Sequence, residues 1–317
     1  EISPENDLGG NNVPMDYDVD TIHSLQIRDI DINFGKNSRN GIMIYAKEGT
    51  VVDVATSNIG ASNKNNISVM SGTIKDYAGS SVIVSDGKSN TAATGTIIAY
   101  STGVWKNGGE MSNSTNTKLS DLPTEINIGQ NVEMSGRYMK EGTNEYFPIA
   151  YAATEGGKIT TENNKTTTAL GYKSVIGFAN NGGDITINGN VTAKDSSAVV
   201  SDKTLLYSNV GAYAKGQGNI RDTSNMSSII TKTVDSTIKI NGNLDLYGIG
   251  AIADNNGKIY LNGTNNIIKS GSDGGLAALS GGYVEFNGGT IISENNNTIS
   301  GKDDHASTTP FYSQAGG

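Results

Sequence analysis

Ala253-Asp254-Asn255-Asn256-Gly257-Lys258-Ile259-Tyr260-Leu261-Asn262-Gly263-Thr264 carries the fold in miniature. A small residue is followed four positions later by glycine, and two positions after that by a β-branched residue. The text then alternates apolar, polar, apolar and stops at Asn-Gly. Period-two alternation describes a strand with one buried face. Asn and Gly both tolerate positive φ, so the pair reads as a turn.

The same text returns along the chain. Ala153-Gly157-Ile159, Ala179-Gly183-Ile185, Ala214-Gly218-Ile220 and Ala278-Gly282-Val284 repeat the first half. Ile185-Thr186-Ile187-Asn188-Gly189-Asn190, Ile238-Lys239-Ile240-Asn241-Gly242-Asn243 and Val284-Glu285-Phe286-Asn287-Gly288-Gly289 repeat the second. The glycines at 157, 183, 218, 257 and 282 are separated by 26, 35, 39 and 25 residues, a base repeat of 20-odd residues with insertions. A lone strand ending in Asn-Gly suggests a hairpin. A hairpin needs a partner strand of similar length and then a reverse turn. Here the whole strand-turn-strand unit recurs instead, as in a coil stacked on its own copies.

In such a coil each strand pairs in parallel with the next, ~4.7–4.9 Å away. Equivalent side chains stack, Ile over Ile inside and Asn over Asn in amide ladders at the turns. The alanines suit a narrow inner corner, and the glycine suits a bend where a side chain would clash. The expected fold is therefore all-β: a right-handed parallel β-helix, or solenoid, with loop insertions. About ten or more coils would give a length of about 50 Å or longer.

The first half of the chain is less regular. Gly41–Val52 resembles the unit with one residue deleted. Leu25, Ile27, Ile30, Ile32 and Phe34 alternate with a slip between Ile27 and Ile30, a bulge or a turn. Ile67-Ser68-Val69 and Val82-Ile83-Val84 read as further short strands. No helix is expected. Residues 1–20, with Pro4 and Pro14, read as an N-terminal cap or tail, and 21–317 as the β-helix. Insertions are expected at about 105–147, although Ile126 and Ile128 could mark a coil within, and at 221–235. Unpaired coil ends invite aggregation. Either residues 1–20 cap one end or the chain belongs to a longer solenoid.

Composition narrows the function classes. Hydrophobic residues make up 35%, with 41 glycines and only 5 prolines, which suits many short strands without one spherical core. The net charge is −9 and no basic patch is visible, so nucleic acid is not an expected partner. The chain lacks cysteine. That is either chance or a mark of export through an oxidising compartment in unfolded form. No stretch of 18 apolar residues predicts a membrane-spanning helix. The chain opens on Glu1 without a signal peptide and reads as a mature or excised segment.

The motifs of catalysis and metal binding are sparse. Asp303-Asp304-His305 could share a water for general acid–base work. The clustered Asn-Thr-Asp, Gly-His-Gly and Arg-x-Lys of polygalacturonases are missing, and a solvated turn is the plainer reading. Asp16, Asp18 and Asp20 alternate like the start of a calcium loop, but Thr21 and Ile27 stand where an EF-hand needs Gly and Glu. With two histidines, His23 and His305, and no cysteine, no metal site or cofactor is expected. The aromatic residues of the longest insertion are the candidate ligand contacts: Trp105, Tyr138, Tyr146 and Phe147. Each could instead pack its loop onto the solenoid. Tyr151, Tyr213 and Tyr260 lie within the repeat and read as structural.

The repeated Ala-x3-Gly-x-Ile, the trailing Ile-x-Ile-Asn-Gly-Asn strand and the lack of cysteine resemble the passenger domains of type V autotransporters. The Asn- and Gly-rich text is similar to the large fusobacterial outer-membrane autotransporter adhesins, over roughly residues 40–300. That resemblance implies an extracellular segment at the bacterial surface, linked in the full-length protein to an outer-membrane β-barrel that this chain does not contain. It also implies adhesion, with a bacterial or host-cell surface protein or glycan as partner. A non-catalytic, monomeric adhesin segment is the expected function. A polysaccharide lyase or hydrolase of the pectin-lyase type is the first alternative, and a passive stalk is the second. Acids converging from stacked coils would favour the enzyme, and a featureless polar surface the stalk.

Overall fold

In the computed structural model, the described residues are 24–27, 32–34, 41–47, 51–54, 73–76, 96–103, 124–134, 139–141, 144–194, 208–221, 231–271, 274–293 and 311–314. They contain no helix and form 27 strands. The architecture is a parallel β-helix of eight coils with three strands per coil.

The first face stacks Ser24–Ile27, Val51–Val54, Glu125–Ile128, Lys158–Thr161, Asp184–Ile187, Thr237–Ile240, Lys258–Leu261 and Tyr283–Phe286. The second stacks Ile32–Phe34, Thr73–Asp76, Asn131–Met134, Thr166–Ala169, Asn190–Ala193, the start of Leu244–Asp254, Asn266–Ser270 and Gly289–Ser293. The third stacks Ile42–Lys47, Ile97–Thr102, Ile149–Thr154, Val175–Asn180, Asn209–Lys215, the end of Leu244–Asp254, Leu276–Leu279 and Phe311–Gln314. All pairings between coils are parallel. In the sixth coil one strand runs through a corner unbroken, which joins the second and third faces into a single sheet.

The eight coils of the described residues, against the expected ten or more, span about 34 Å by strand spacing. The strands that flank the slip between Ile27 and Ile30, Ser24–Ile27 and Ile32–Phe34, belong to different faces. Residues 1–20, Ile67–Val69 and Val82–Val84 lie outside the described residues.

The core is a set of vertical ladders. Val52, Ile126, Ile159, Ile185, Ile238 and Ile259 stack on the first face, and all are buried. Ala153, Ala179, Ala214 and Ala253 stack at the end of the third face and are fully buried. Tyr151 fills the interior between Ala99 below and Gly177 above, a large residue between two small ones. Its hydroxyl meets Thr167 Oγ1 at 2.7 Å. In Ile97–Thr102, Ile149–Thr154 and Val175–Asn180 of the third face the register skips the second residue, Ile98, Ala150 and Ile176, and those residues are also fully buried.

Two corners divide the turn chemistry differently from the sequence reading. Asn188, Asn241, Asn262 and Asn287 do not have positive φ, and neither do the glycines that follow them. The left-handed pairs lie at the other corner, after the alanine ladder: Glu155-Gly156, Asn181-Gly182, Asn255-Asn256 and Ser280-Gly281. The Asn of each Asn-Gly is there for its side chain. Asn241 Nδ2 donates to Asn188 Oδ1 (2.7 Å), Asn262 to Asn241 (2.8 Å) and Asn287 to Asn262 (2.8 Å). At the base of this ladder Asn188 Nδ2 donates to the Thr161 carbonyl at 2.7 Å. The glycine of the Ala-x3-Gly repeat answers to close approach. A Cβ on Gly183 or Gly257 would fall within 3.0 Å of the carbonyl of Ala153 or Ala214 in the neighbouring coil.

Candidate functional site

Two hairpins interrupt the coils. Met139–Glu141 pairs antiparallel with Asn144–Tyr146, between the second and third faces of coil 3. Gln217–Arg221 pairs antiparallel with Thr231–Asp235, at the corner that leads into the sixth coil. The second hairpin explains the irregular copy of the repeat: Ile220 sits in the hairpin, and the first-face ladder resumes at Ile238.

The segment read as one insertion at 105–147 holds two coil strands, Glu125–Ile128 and Asn131–Met134. Of the aromatic residues proposed as contacts, Trp105 and Tyr138 lie outside the described residues. Tyr146 is in the first hairpin, where it pairs in register with Met139. Phe147 follows that hairpin and is 37% exposed. Asp303, Asp304, His305, Asp16, Asp18, Asp20 and His23 are outside the described residues.

The arrangement with the most chemistry is built by the second hairpin, at the corner between the third and first faces. Its root is fixed by Ser236, whose hydroxyl donates to the Lys215 carbonyl (2.7 Å) and accepts from the Gly182 amide (2.9 Å). Ser236 N also donates to the Gly216 carbonyl at 3.0 Å, so the two ends of the insertion meet. The hairpin lies against the 181–183 turn, where a Cβ on Gly182 would collide with Val234. Between the hairpin and the first face opens a cleft of about 470 Å³. Its lining includes Lys158, Asp184, Asp235, Lys239, Lys258 and Tyr260.

Parallel register places these groups. Lys158, Asp184, Thr237 and Lys258 form one outward column, and Thr186, Lys239 and Tyr260 the next. Lys258 Nζ pairs with Asp235 Oδ2 at 2.5 Å, and Gln217 Nε2 donates to Asp235 Oδ1 at 2.6 Å. Burial pushes the Asp235 carboxyl up, but the hydrogen bonds from Lys258 and Gln217 together outweigh it and hold it below the usual range. The same contact with Asp235 raises Lys258. Lys158 faces Glu125 at 3.9 Å. Lys239 lies 5.9 Å from the centre of the Tyr260 ring, which tilts against Tyr283.

Asp184 is the exception. Its Oδ1 is closed off from solvent and has no hydrogen-bond partner. Burial raises its carboxyl above the ordinary value, and the charges of Lys158 and Lys239 only partly oppose this. A carboxylate with one oxygen buried and unpartnered, beside a lysine-lined cleft, is a costly arrangement, of the kind that gathers at working sites. Sequence reading passed over Asp184 and Lys239 and took Tyr260 as structural, because each looks like an ordinary outward position of the repeat. No family model matches the chain, and neither does any curated protein sequence or solved structure.

Proposed function

We propose that this chain is a non-catalytic adhesin segment of a cell surface, which holds a surface protein or glycan on the flank of a rigid solenoid. The observation that carries the reading is the cleft: an inserted hairpin packs beside a repeat face and borders an open cleft lined by Asp184, Lys239 and Tyr260, a mixed polar and aromatic set suited to holding a ligand. The repeat style, which resembles autotransporter passenger domains, supports an extracellular setting. The acidic average charge of −9 favours a cationic or polar receptor over an anionic one.

The test is binding of the purified chain to bacterial and host cells by flow cytometry, beside a hairpin-less variant. Replacing residues 217–236 with two glycines restores the Ala-to-Ile spacing found at the other corners, so the coils stay in register. Binding by the parent chain that falls at least tenfold in the variant supports the reading. A folded parent chain that binds no cells leaves a stalk. Release of new reducing ends from a polysaccharide would replace adhesion with hydrolysis.

A further inference from the structure

We propose that the cleft between the 217–235 hairpin and the first face is a saccharide subsite that takes an uncharged sugar ring. The proposal deepens the adhesion reading and rests on it for its biological setting. The chemistry of the lining decides the ligand class. Lys258 and Asp235 satisfy each other, and Gln217 completes Asp235. Lys158 has Glu125 within 3.9 Å. Three lining groups are left for a ligand: the Asp184 carboxylate, the Lys239 ammonium, which has no ion-pair partner among the described residues, and the ring of Tyr260.

A cationic ligand would meet Lys158, Lys239 and Lys258 in the same cleft, and like charges repel it. An anionic ligand would meet Asp184 and Asp235. A purely apolar ligand would find little beyond Tyr260 and Val234 and would strip water from the charged groups. A neutral ring with neighbouring hydroxyls fits all three. One hydroxyl donates to the Asp184 carboxylate where it lines the cleft. Another accepts from Lys239. The C–H face of the ring lies on Tyr260, whose aromatic surface gives apolar contact with a defined orientation. The cleft volume of about 470 Å³ falls within the range of small-molecule sites.

The experiment is saturation-transfer NMR and calorimetric titration of the full chain with galactose, mannose and N-acetylglucosamine, with glucuronate and glucosamine as charged comparators. At least one neutral sugar should bind, more tightly than either comparator. Asp184→Ala and Tyr260→Ala should each weaken it at least tenfold, and Lys239→Met several-fold. Lys269→Met, on the second face, should change nothing. Circular dichroism and melting curves establish that each variant is folded. The proposal is overturned if no neutral sugar binds the folded chain, if a charged comparator binds more tightly, or if Asp184→Ala and Tyr260→Ala bind like the parent. Cell binding separates the two readings. Cells bound equally well by the Asp184→Ala variant, with no sugar bound by either protein, sink the cleft and leave adhesion standing. Sugar binding by a chain that attaches to no cells supports the cleft and removes adhesion.

Discussion

Single residues show where this fold spends stability and where it gains it. Asp184 binds its proton more tightly in the folded chain than at its ordinary value of 3.8, because burial raises its carboxyl. The folded state therefore gains stability as pH falls through that raised value, and the cost of the charge is present in full above it. Asp184→Asn should accordingly raise the melting temperature at pH 7, by a margin that shrinks as pH approaches 3.8. A margin that grew with acid would refute the assignment. The glycines that clear a neighbouring carbonyl form a second group. Gly257→Ala would drive its Cβ into the Ala214 carbonyl and should cost about 1–3 kcal/mol as overpacking. Gly177→Ala meets Ile238 side-chain atoms at 3.4 Å and the Gly211 carbonyl at 3.8 Å, and should cost much less by chemical denaturation. Tyr151→Phe would strand the Thr167 hydroxyl inside the coil, at about 1–3 kcal/mol.

At the scale of strands and corners, stability comes from like stacked on like. The Asn188–Asn241–Asn262–Asn287 ladder lies largely exposed, so each rung has a small net value. Asn241→Ala breaks two rungs and should cost about 1 kcal/mol in urea melts. Asn287→Ala breaks one and should cost less. The aromatic pairs are the same device on the third face: Tyr45 stacks on Tyr100 at 5.4 Å, and Phe178 meets Tyr213 edge-on at 5.6 Å. This stacking is why the fold could be read from the sequence. A ladder writes one residue type at one position of every coil, so Ile185, Ile238 and Ile259 announce each other across long separations. The corners were readable in part. Asn-Gly marked a corner, but its reason is the side-chain ladder, and the left-handed backbone belongs to the opposite corner. The cleft was not readable, because Asp184, Lys239 and Tyr260 come from three coils and line a cleft bordered by a hairpin whose docking no local pattern records.

Across the whole molecule, each coil touches chiefly its neighbours, so stability is close to a sum over adjacent interfaces. The coil at Tyr283–Phe286 contributes less to this sum than the coil it stacks on. Val284, Phe286 and Ile291 are only partly buried, whereas their register partners Ile259, Leu261 and Ile268 are fully buried. Amides of Tyr283–Phe286 should exchange with solvent well ahead of those of Thr237–Ile240, as checked by hydrogen exchange. Equal protection in the two strands would contradict the one-dimensional picture.

The parallel stacking has a mechanical consequence. Every strand lies across the long axis, so the bonds that join neighbouring coils run along it. Tension applied between the two ends therefore pulls those bonds in line and opens them a coil at a time, like a zipper. The molecule would act under load as an extensible tether that gives way in small steps, while a ligand held in the cleft near the middle stays gripped until the unwinding front arrives.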